Sequence, residues 1–340
     1  MIRRLLDRAV PAVAAPVVAP ESVDAVERIV TTSDGAVLSI REYGSCAAPR
    51  TVILLHGCCL NHDSWSLQIG ELIARWGNRI RIIAYDHRGH GDSGQAPMHT
   101  YTVERLAADL AELQVVLGVG GRVYLVGHSL GGMAVLAYLG RPAGQRPIDP
   151  DGLVLVATAA GRLAERGLGR LLGNPAVDIL YELVAHAPRA VADDVVRALA
   201  RPIWRQLARY GYGSSISEAA LTEVAAVAIN ATPLATKAGF LRALRSYDQY
   251  SALGTIAAKT LILSGGADML TPPSHAQDLA AGIPGARLVS LPGAGHMLLH
   301  EAPHVVTDVI NCVIGGHRPD NWSRDRDAAT VGALDAGAAS

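Results

Sequence analysis

The segment VYLVGHSLGGMAVLAYLG constrains the fold of this chain more than any other part of the sequence. Residues 123–126 are apolar and predict a buried strand, whereas residues 133–139 predict a helix. Between them Ser129 lies in a G-x-S-x-G pattern, with Gly127 and Gly131 two residues away on either side. A serine on so tight a turn has strained backbone angles, so these neighbours need to lack side chains. The segment therefore predicts a strand, a sharp turn and a helix, with the serine hydroxyl at the apex.

A serine hydroxyl is a weak nucleophile at neutral pH, so it needs a base and an acid from elsewhere in the chain. Residues 260–264 predict a strand that runs into a Gly-rich turn and presents Asp268 just beyond its end. Residues 287–291 predict a further strand, followed by a Gly-Ala-Gly loop that carries His296. In this interpretation His296 takes the proton of Ser129, and Asp268 fixes the imidazole tautomer and stabilises its charged form.

Other residues compete for these roles. Asp92 and Asp278 are alternative acids, but we favour Asp268 because the end of a strand holds a carboxylate rigidly, whereas a helix face would aim it elsewhere. His128 adjoins the nucleophile in sequence. Adjacent residues on a sharp turn point apart, so we interpret His128 as a packing or positioning residue and not as the base.

Two further segments complete the pattern. Residues 51–55 predict a strand that ends at His56 and Gly57, after which the turn exposes backbone amides. Residues 79–93, RIRIIAYDHRGHGDS, predict a strand to Tyr85 and a tight turn. With these segments the chain resembles α/β-hydrolase-fold serine hydrolases of the esterase, lipase and cofactor-free perhydrolase type, over roughly residues 27–316.

The resemblance implies a mostly parallel eight-stranded sheet with helices on both faces and a helical lid inserted after strand six. The order Ser129, Asp268, His296 matches the order of this family's catalytic triad. The family also implies an oxyanion hole made of the backbone N–H groups of Cys58 and Leu130. The residues expected to support the turn and the oxyanion loop are His56, Gly57, Gly127, His128 and Gly131.

We expect residues 27–160 and 254–316 to form the core. A hairpin of residues 28–32 and 37–42, joined at Asp34 and Gly35, opens it, and residues 153–160 form its sixth strand. The intervening segment, residues 161–253, is the expected lid. Its predicted helices are residues 176–187, 190–207, 217–230 and 236–247.

The two ends of the chain lack the apolar periodicity of the core. Residues 1–26 begin with arginines and a small apolar stretch, which resembles a weak signal sequence. Prolines and Asp7 interrupt this stretch, so we expect a flexible leader or a short surface helix. Residues 317–340 are expected to be disordered.

Four cysteines are too few and too unevenly spaced for a disulfide framework in a chain of 340 residues. Free thiols favour a cytoplasmic location, with peripheral membrane contact or export as alternatives. Cys58 and Cys59 are adjacent, which allows a strained vicinal disulfide or a thiol nucleophile. The alternative, which we favour, is two small residues lining a tight turn.

Composition excludes several functions. The net charge is −1 and basic residues are scattered, which disfavours a nucleic-acid partner. No apolar run is long enough to span a bilayer. The segment DHRGHGD, residues 86–92, has metal-like spacing, but no second ligand group accompanies it, so we predict a structural loop and neither metal nor cofactor. His300 and His304 are expected on one solvent-exposed helical face.

The predicted function is hydrolysis of a carboxylic ester through an acyl-enzyme. Serine at the turn argues against the dehalogenases and epoxide hydrolases of this fold, which use a carboxylate nucleophile. The apolar residues of the lid favour a hydrophobic acyl or alkyl group on a small-molecule substrate. The alternatives are a C–C bond hydrolase, a cofactor-free perhydrolase with the same triad, and a non-catalytic ligand-binding receptor. The sequence leaves the natural substrate and the oligomeric state open.

Overall fold

A computed structural model describes residues 25–186 and 231–316 of the chain. Eight strands form one sheet in the spatial order β1-β2-β4-β3-β5-β6-β7-β8. The first strand pairs antiparallel with the second, the second pairs antiparallel with β4, and the remaining neighbours are parallel. The strands are β1 Val26–Thr31, β2 Val37–Gly44, β3 Arg50–Leu55, β4 Arg81–Tyr85, β5 Arg122–His128, β6 Gly152–Val156, β7 Lys259–Gly265 and β8 Arg287–Leu291. The predicted α/β-hydrolase fold, with an eight-stranded and mostly parallel sheet, is confirmed.

Helices connect the parallel strands, as crossover connections between parallel neighbours require. In the described ranges they are α1 Ser66–Trp76, α2 Val103–Val116, α3 Leu130–Leu139, α4 Ala176–His186, α5 Leu234–Ser246, α6 Tyr250–Leu253, α7 Pro273–Gly282, α8 Leu298–Glu301 and α9 Pro303–Gly315. Within these ranges, no helix is both long and apolar enough to cross a membrane.

The core lies on both faces of the sheet, because each central strand carries a continuous run of apolar residues. Along β3, Ile53 and Leu55 belong to one buried cluster, which includes α2 and α3, while Val52 and Leu54 belong to a second cluster with α1 and α9. Successive side chains of a strand point to opposite faces, so a continuous apolar run indicates burial on both sides. The carboxyl ends of the parallel strands are therefore held rigidly between two helical layers.

The strand and helix boundaries differ from the sequence prediction by at most four residues. The largest strand difference is β6, predicted to reach residue 160, which ends at Val156. Ala157 has a φ of 46°, in the left-handed region, and its N–H donates to the carbonyl of Leu263. Apolar composition continues past the point at which the chain leaves the sheet, so composition alone could not locate the end.

The segment after β6 is only partly described. The helices predicted at residues 176–187 and 236–247 correspond to α4 and α5. The helices predicted at residues 190–207 and 217–230 lie outside the described residues. The whole predicted tail and all but the last two residues of the predicted leader lie outside them as well. The division into core and lid therefore stays a prediction.

The loop after β4 has a structural role. Arg88, whose side chain is fully buried, donates to Asp109 on α2 and to Asp34 in the β1-β2 turn. A buried guanidinium needs such paired, hydrogen-bonded carboxylates to offset its desolvation. The predicted structural loop thus ties the opening hairpin to the first long helix.

Candidate active site

The G-x-S-x-G turn joins β5 directly to α3. Ser129 has φ 51° and ψ −115°, and α3 begins at the next residue, Leu130. A Cβ on Gly127 would lie 2.5 Å from the backbone nitrogen of Gly132, which no side chain can tolerate. The strained angles at Ser129 are thus held by glycine packing, and they place the hydroxyl beside the N-terminal turn of a helix.

Gly131 brings this turn against the loop that follows β3. A Cβ on Gly131 would lie 2.2 Å from the carbonyl oxygen of Leu55 and 2.8 Å from that of His56. The first turn of α3 therefore packs directly on the backbone of the predicted oxyanion loop. This close approach brings the segments that carry the N–H groups of Leu130 and Cys58 to one place.

We expect Gly131→Ala to destabilise the protein by about 2 to 3 kcal/mol, the cost of overpacking a rigid site. Elsewhere in a helix the same change stabilises, by up to about 1 kcal/mol. Gly144→Ala is the matched control, because no described atom lies within 4 Å of the added Cβ. Urea unfolding of both variants would measure the difference, and equal midpoints would contradict the proposed packing.

Ser129, His296 and Asp268 lie in one hydrogen-bonded line. The Oγ of Ser129 is 2.9 Å from Nε2 of His296, and Nδ1 of His296 is 2.8 Å from Oδ2 of Asp268. An ionised carboxylate only accepts hydrogen bonds, so the imidazole proton lies on Nδ1 and Nε2 accepts from the serine hydroxyl. This tautomer is the one that a general base facing a serine requires.

The carboxylate of Asp268 is buried and fully hydrogen-bonded. Oδ1 accepts from the backbone N–H groups of Leu270 and Thr271, and Oδ2 accepts from the Thr271 hydroxyl at 2.7 Å as well as from His296. Burial raises the pKa of Asp268, but the nearby imidazole and these hydrogen bonds outweigh burial and lower the pKa below its usual value. Asp268 is therefore ionised at neutral pH.

Thr271 is a residue of this site that the sequence reasoning missed. Its hydroxyl oxygen lies 2.7 Å from Asp268 and 3.2 Å from Nδ1 of His296. Its position three residues after an aspartate, in a turn, was the available signal, because such turns bind the carboxylate through N–H and hydroxyl groups.

The competing acids lie elsewhere. Asp278 binds Arg166 and the hydroxyl of Tyr250, and Asp92 lies on the exposed side of the loop after β4. Neither has a contact with His296 among the described hydrogen bonds and ion pairs. Of the three candidates, the structure brings Asp268 to the imidazole.

The predicted oxyanion loop rests on a cluster of three buried histidines, His56, His87 and His90. The Nδ1–H of His56 donates to the carbonyl of Gly57 at 2.7 Å, and its Nε2 accepts from the backbone N–H of His87 at 3.0 Å. Both ring nitrogens of His56 are thus used by backbone groups. Burial is the main cause that lowers the pKa values of the cluster, to about 3 for His87 and about 4 for His90. The three rings are therefore neutral at neutral pH.

The adjacent thiols in the loop are free. Cys58 is half-buried and Cys59 is buried, with Sγ atoms 3.8 Å apart and a φ of 60° at Cys59. Free thiols in a tight turn agree with the interpretation that we favoured. The vicinal disulfide and the thiol nucleophile have no support in this geometry, since Ser129 is the residue that faces the imidazole.

The structure places a further potential metal ligand, His62, beside the loop after β4, which corrects the sequence analysis. His62 joins Asp86 and Asp92, with side-chain ligand atoms within 4.8 Å of one another. However, Asp86 accepts from the N–H and Nδ1 of His62 and from the N–H of Asp92. Burial lowers the pKa of His62, but hydrogen bonds to Asp63 and Asp86 outweigh burial and raise it to about 9. A protonated imidazole does not bind a metal ion, so this geometry favours a structural ion pair.

The prediction for the two histidines after the catalytic loop is wrong in part. His304 is exposed and pairs with Glu71, but His300 is mostly buried, and its Nδ1 has no partner among the described groups. The two residues also lie on separate helices, α8 and α9, because a break at Ala302 ends the predicted continuous face.

Comparison with known proteins agrees with this fold. The model of the α/β hydrolase fold family matches residues 50–303. The chain is 28% identical to the AB hydrolase superfamily protein YisY of Bacillus subtilis, over 83% of this chain and 96% of that protein. It is also 28% identical to a non-heme haloperoxidase of Rhodococcus erythropolis, over 84% of this chain and 98% of that protein.

A solved structure, a hydrolase from Pseudomonas aeruginosa PA01, superimposes with a TM-score of 0.69 and 29% identity. The match covers 85% of this chain and 98% of the other. Because the family model spans most of the described core, including the G-x-S-x-G turn, this chain belongs to the α/β-hydrolase fold family of enzymes.

Proposed function

We propose that this protein is a serine hydrolase that cleaves carboxylic esters with an apolar acyl or alkyl group through an acyl-enzyme intermediate. The observation that carries the proposal is the hydrogen-bonded line from Ser129 through His296 to the buried carboxylate of Asp268. Three residues separated by 139 and 28 positions rarely meet in this tautomeric arrangement without a catalytic reason.

In the proposed mechanism the Oγ of Ser129 attacks the ester carbonyl while Nε2 of His296 removes its proton. Asp268, held ionised by its hydrogen bonds, stabilises the imidazolium. The imidazolium returns the proton to the leaving alkoxide, which departs as an alcohol. Water then attacks the acyl-enzyme, with His296 again as the base, and releases the carboxylic acid.

The oxyanion of each tetrahedral intermediate would bind the backbone N–H groups of Cys58 and Leu130. The contact between Gly131 and the end of β3 supports this pairing, because it brings the two segments together. Such preorganised amides stabilise the transition state by about 3 to 4 kcal/mol per donor in known serine hydrolases.

We propose an apolar substrate on the basis of two apolar residues that adjoin the triad in sequence. Leu130 and Met297 directly follow the nucleophile and the base, and both are buried. We expect kcat/KM for p-nitrophenyl esters to rise at least tenfold from acetyl to octanoyl, since each buried CH₂ contributes about 0.8 kcal/mol. A strong preference for acetyl over octanoyl would refute the apolar pocket while leaving ester hydrolysis intact.

A second candidate function is perhydrolysis, which the similarity to the Rhodococcus haloperoxidase favours. Here Ser129 attacks a carboxylic acid, which loses water as it forms the acyl-enzyme. Hydrogen peroxide then attacks the acyl-enzyme in place of water and releases a peroxycarboxylic acid, which oxidises halide. Peroxide-dependent halide oxidation in acetate buffer would separate the two functions. Oxidation at a rate comparable to ester hydrolysis would favour the perhydrolase, and ester hydrolysis alone would favour the esterase.

A further inference from the structure

The carboxylate of Glu301 holds the backbone on both sides of the candidate base. Its Oε2 accepts from the N–H of Gly295 at 2.8 Å, and its Oε1 accepts from the N–H of Met297 at 3.1 Å. The residue between these two amides is His296. One side chain at the end of α8 thus binds both peptide groups that flank the imidazole-bearing residue.

His128 binds the same residue through its carbonyl. The Nε2–H of His128 donates to the backbone oxygen of His296 at 3.0 Å, and the two rings lie 5.1 Å apart. Because a carbonyl only accepts, the proton of His128 lies on Nε2. Burial, with a smaller contribution from His296, lowers the pKa of His128 to about 3, so the ring stays neutral.

The other side of the His128 ring meets the oxyanion loop. A Cβ on Gly57 would lie 2.7 Å from Nδ1 of His128, so the ring and this glycine are in direct contact. His128 therefore touches the oxyanion loop with one nitrogen and the base loop with the other.

We propose that Glu301 and His128 are positioning residues that together form a clamp on the backbone of His296. The clamp consists of the two bonds from Gly295 and Met297 to Glu301 and the bond from His128 to the carbonyl of His296. The inference rests on the proposed function, because it takes His296 as the general base.

The physical need for a clamp follows from the loop itself. His296 follows Gly293-Ala294-Gly295, a sequence with few conformational restraints. The bond to Asp268 restrains the imidazole at Nδ1 only, so the ring can still shift relative to Ser129 if the backbone moves. A displacement of about 1 Å in a catalytic group can cost on the order of 10²-fold in rate. Charge-assisted hydrogen bonds to two amides oppose that displacement.

We therefore expect Glu301→Gln to lower kcat about 10²-fold with KM within about twofold of wild type, because the amide can accept from only one of the two N–H groups. The rate is expressed per site that reacts with a fluorophosphonate, so that unfolded protein does not contribute. Glu71→Gln is the matched control, since Glu71 pairs with the exposed His304 and should leave the rate unchanged.

A second readout does not depend on turnover. The Nδ1 proton of His296, held by Asp268, should give a downfield proton NMR resonance in wild type and in Glu71→Gln. In Glu301→Gln the resonance should broaden or disappear, as the ring loses its fixed position. Glu301→Asp, which keeps the charge but shortens the reach, should behave like Glu301→Gln, and it replaces that variant if it fails to fold.

A double variant with His128→Asn tests whether the two residues act as one unit. The combined loss in kcat should be smaller than the product of the single losses, as for groups that restrain the same residue. Unchanged kcat and an unchanged resonance in folded Glu301→Gln would overturn the clamp. A different result would refute the proposed function but keep the clamp. In that case the wild type is inactive and unlabelled, yet it shows the Nδ1 resonance, and Glu301→Gln loses that resonance.

Discussion

Replacing Ser129 by alanine is expected to lower kcat for p-nitrophenyl octanoate by about 10⁵- to 10⁶-fold and to abolish labelling by a fluorophosphonate. The substitution removes the only atom that forms the acyl bond, whereas His296 and Asp268 keep their mutual hydrogen bond. The residual rate should come from the oxyanion donors and from binding alone, about 10³- to 10⁴-fold above water. Labelling is read by mass spectrometry of the peptide that contains residue 129.

Ser264→Ala provides the matched control for this variant. Ser264 is also buried near the end of a parallel strand, but its hydroxyl contacts only the carbonyl of Gly265, at 3.5 Å, among the described bonds. It should label and turn over like wild type. If folded wild-type protein resists labelling, the ester hydrolase proposal is wrong and the ligand-binding receptor becomes the better interpretation.

The second large expected effect is a loss of folding stability in acid. Burial lowers the pKa values of His87 and His128 to about 3 and that of His90 to about 4. In the unfolded chain a histidine has a pKa of about 6.5. As the pH falls from 6.5 towards 4, the unfolded state therefore binds protons that the folded state does not bind, so stability falls with falling pH.

The size of this effect is large compared with ordinary stability. Each such histidine costs about 1.4 kcal/mol per pH unit inside that window, so three together cost about 4 kcal/mol per unit. Domains are stable by only about 5 to 15 kcal/mol. We expect the urea midpoint to fall steeply between pH 6 and pH 5 and the protein to unfold in mild acid. His62, with a pKa raised to about 9, contributes stability that is lost only as the pH rises from 6.5 through 9.

Replacing one of these buried histidines tests the cause. His90→Phe should reduce the pH dependence of the free energy of unfolding by about 1.4 kcal/mol per pH unit, the share of one histidine, since the ring lies 5.5 Å from Phe240 in an apolar setting. His304→Gln, at an exposed site, should leave the slope unchanged. If the free energy of unfolding of the wild type falls by less than about 1.4 kcal/mol between pH 6 and pH 5, the buried histidines do not control acid stability.

Local sequence patterns predicted much of this fold because they reflect local steric and solvation demands. The strand from Arg287 to Leu291 appears where it was predicted, and the others begin or end within a few residues of their expected limits. Gly127 and Gly131 indicated a turn that no larger residue could form, and the structure has backbone atoms at 2.5 Å and 2.2 Å from the positions of their missing Cβ atoms.

The limits of sequence reasoning appear where contacts come from distant segments. His62 reaches Asp86 from 24 residues away, and His128 binds the backbone of His296 from 168 residues away. His300 looked exposed by composition, but its burial depends on how α8 packs. A side chain's solvent exposure is a property of the elements packed against it, and no local pattern contains it.

The sequence by itself determined the strained turn that carries Ser129, the proposed nucleophile, because such a turn requires glycines at fixed positions. It also indicated an acid and a base of the right kinds at strand ends. Only the tertiary structure decided that Asp268, and neither Asp92 nor Asp278, reaches His296, and that Glu301 and His128 bind the backbone around that histidine. Hydrogen bonds act over about 3 Å, so their partners are fixed only when the folded sheet brings distant loops together.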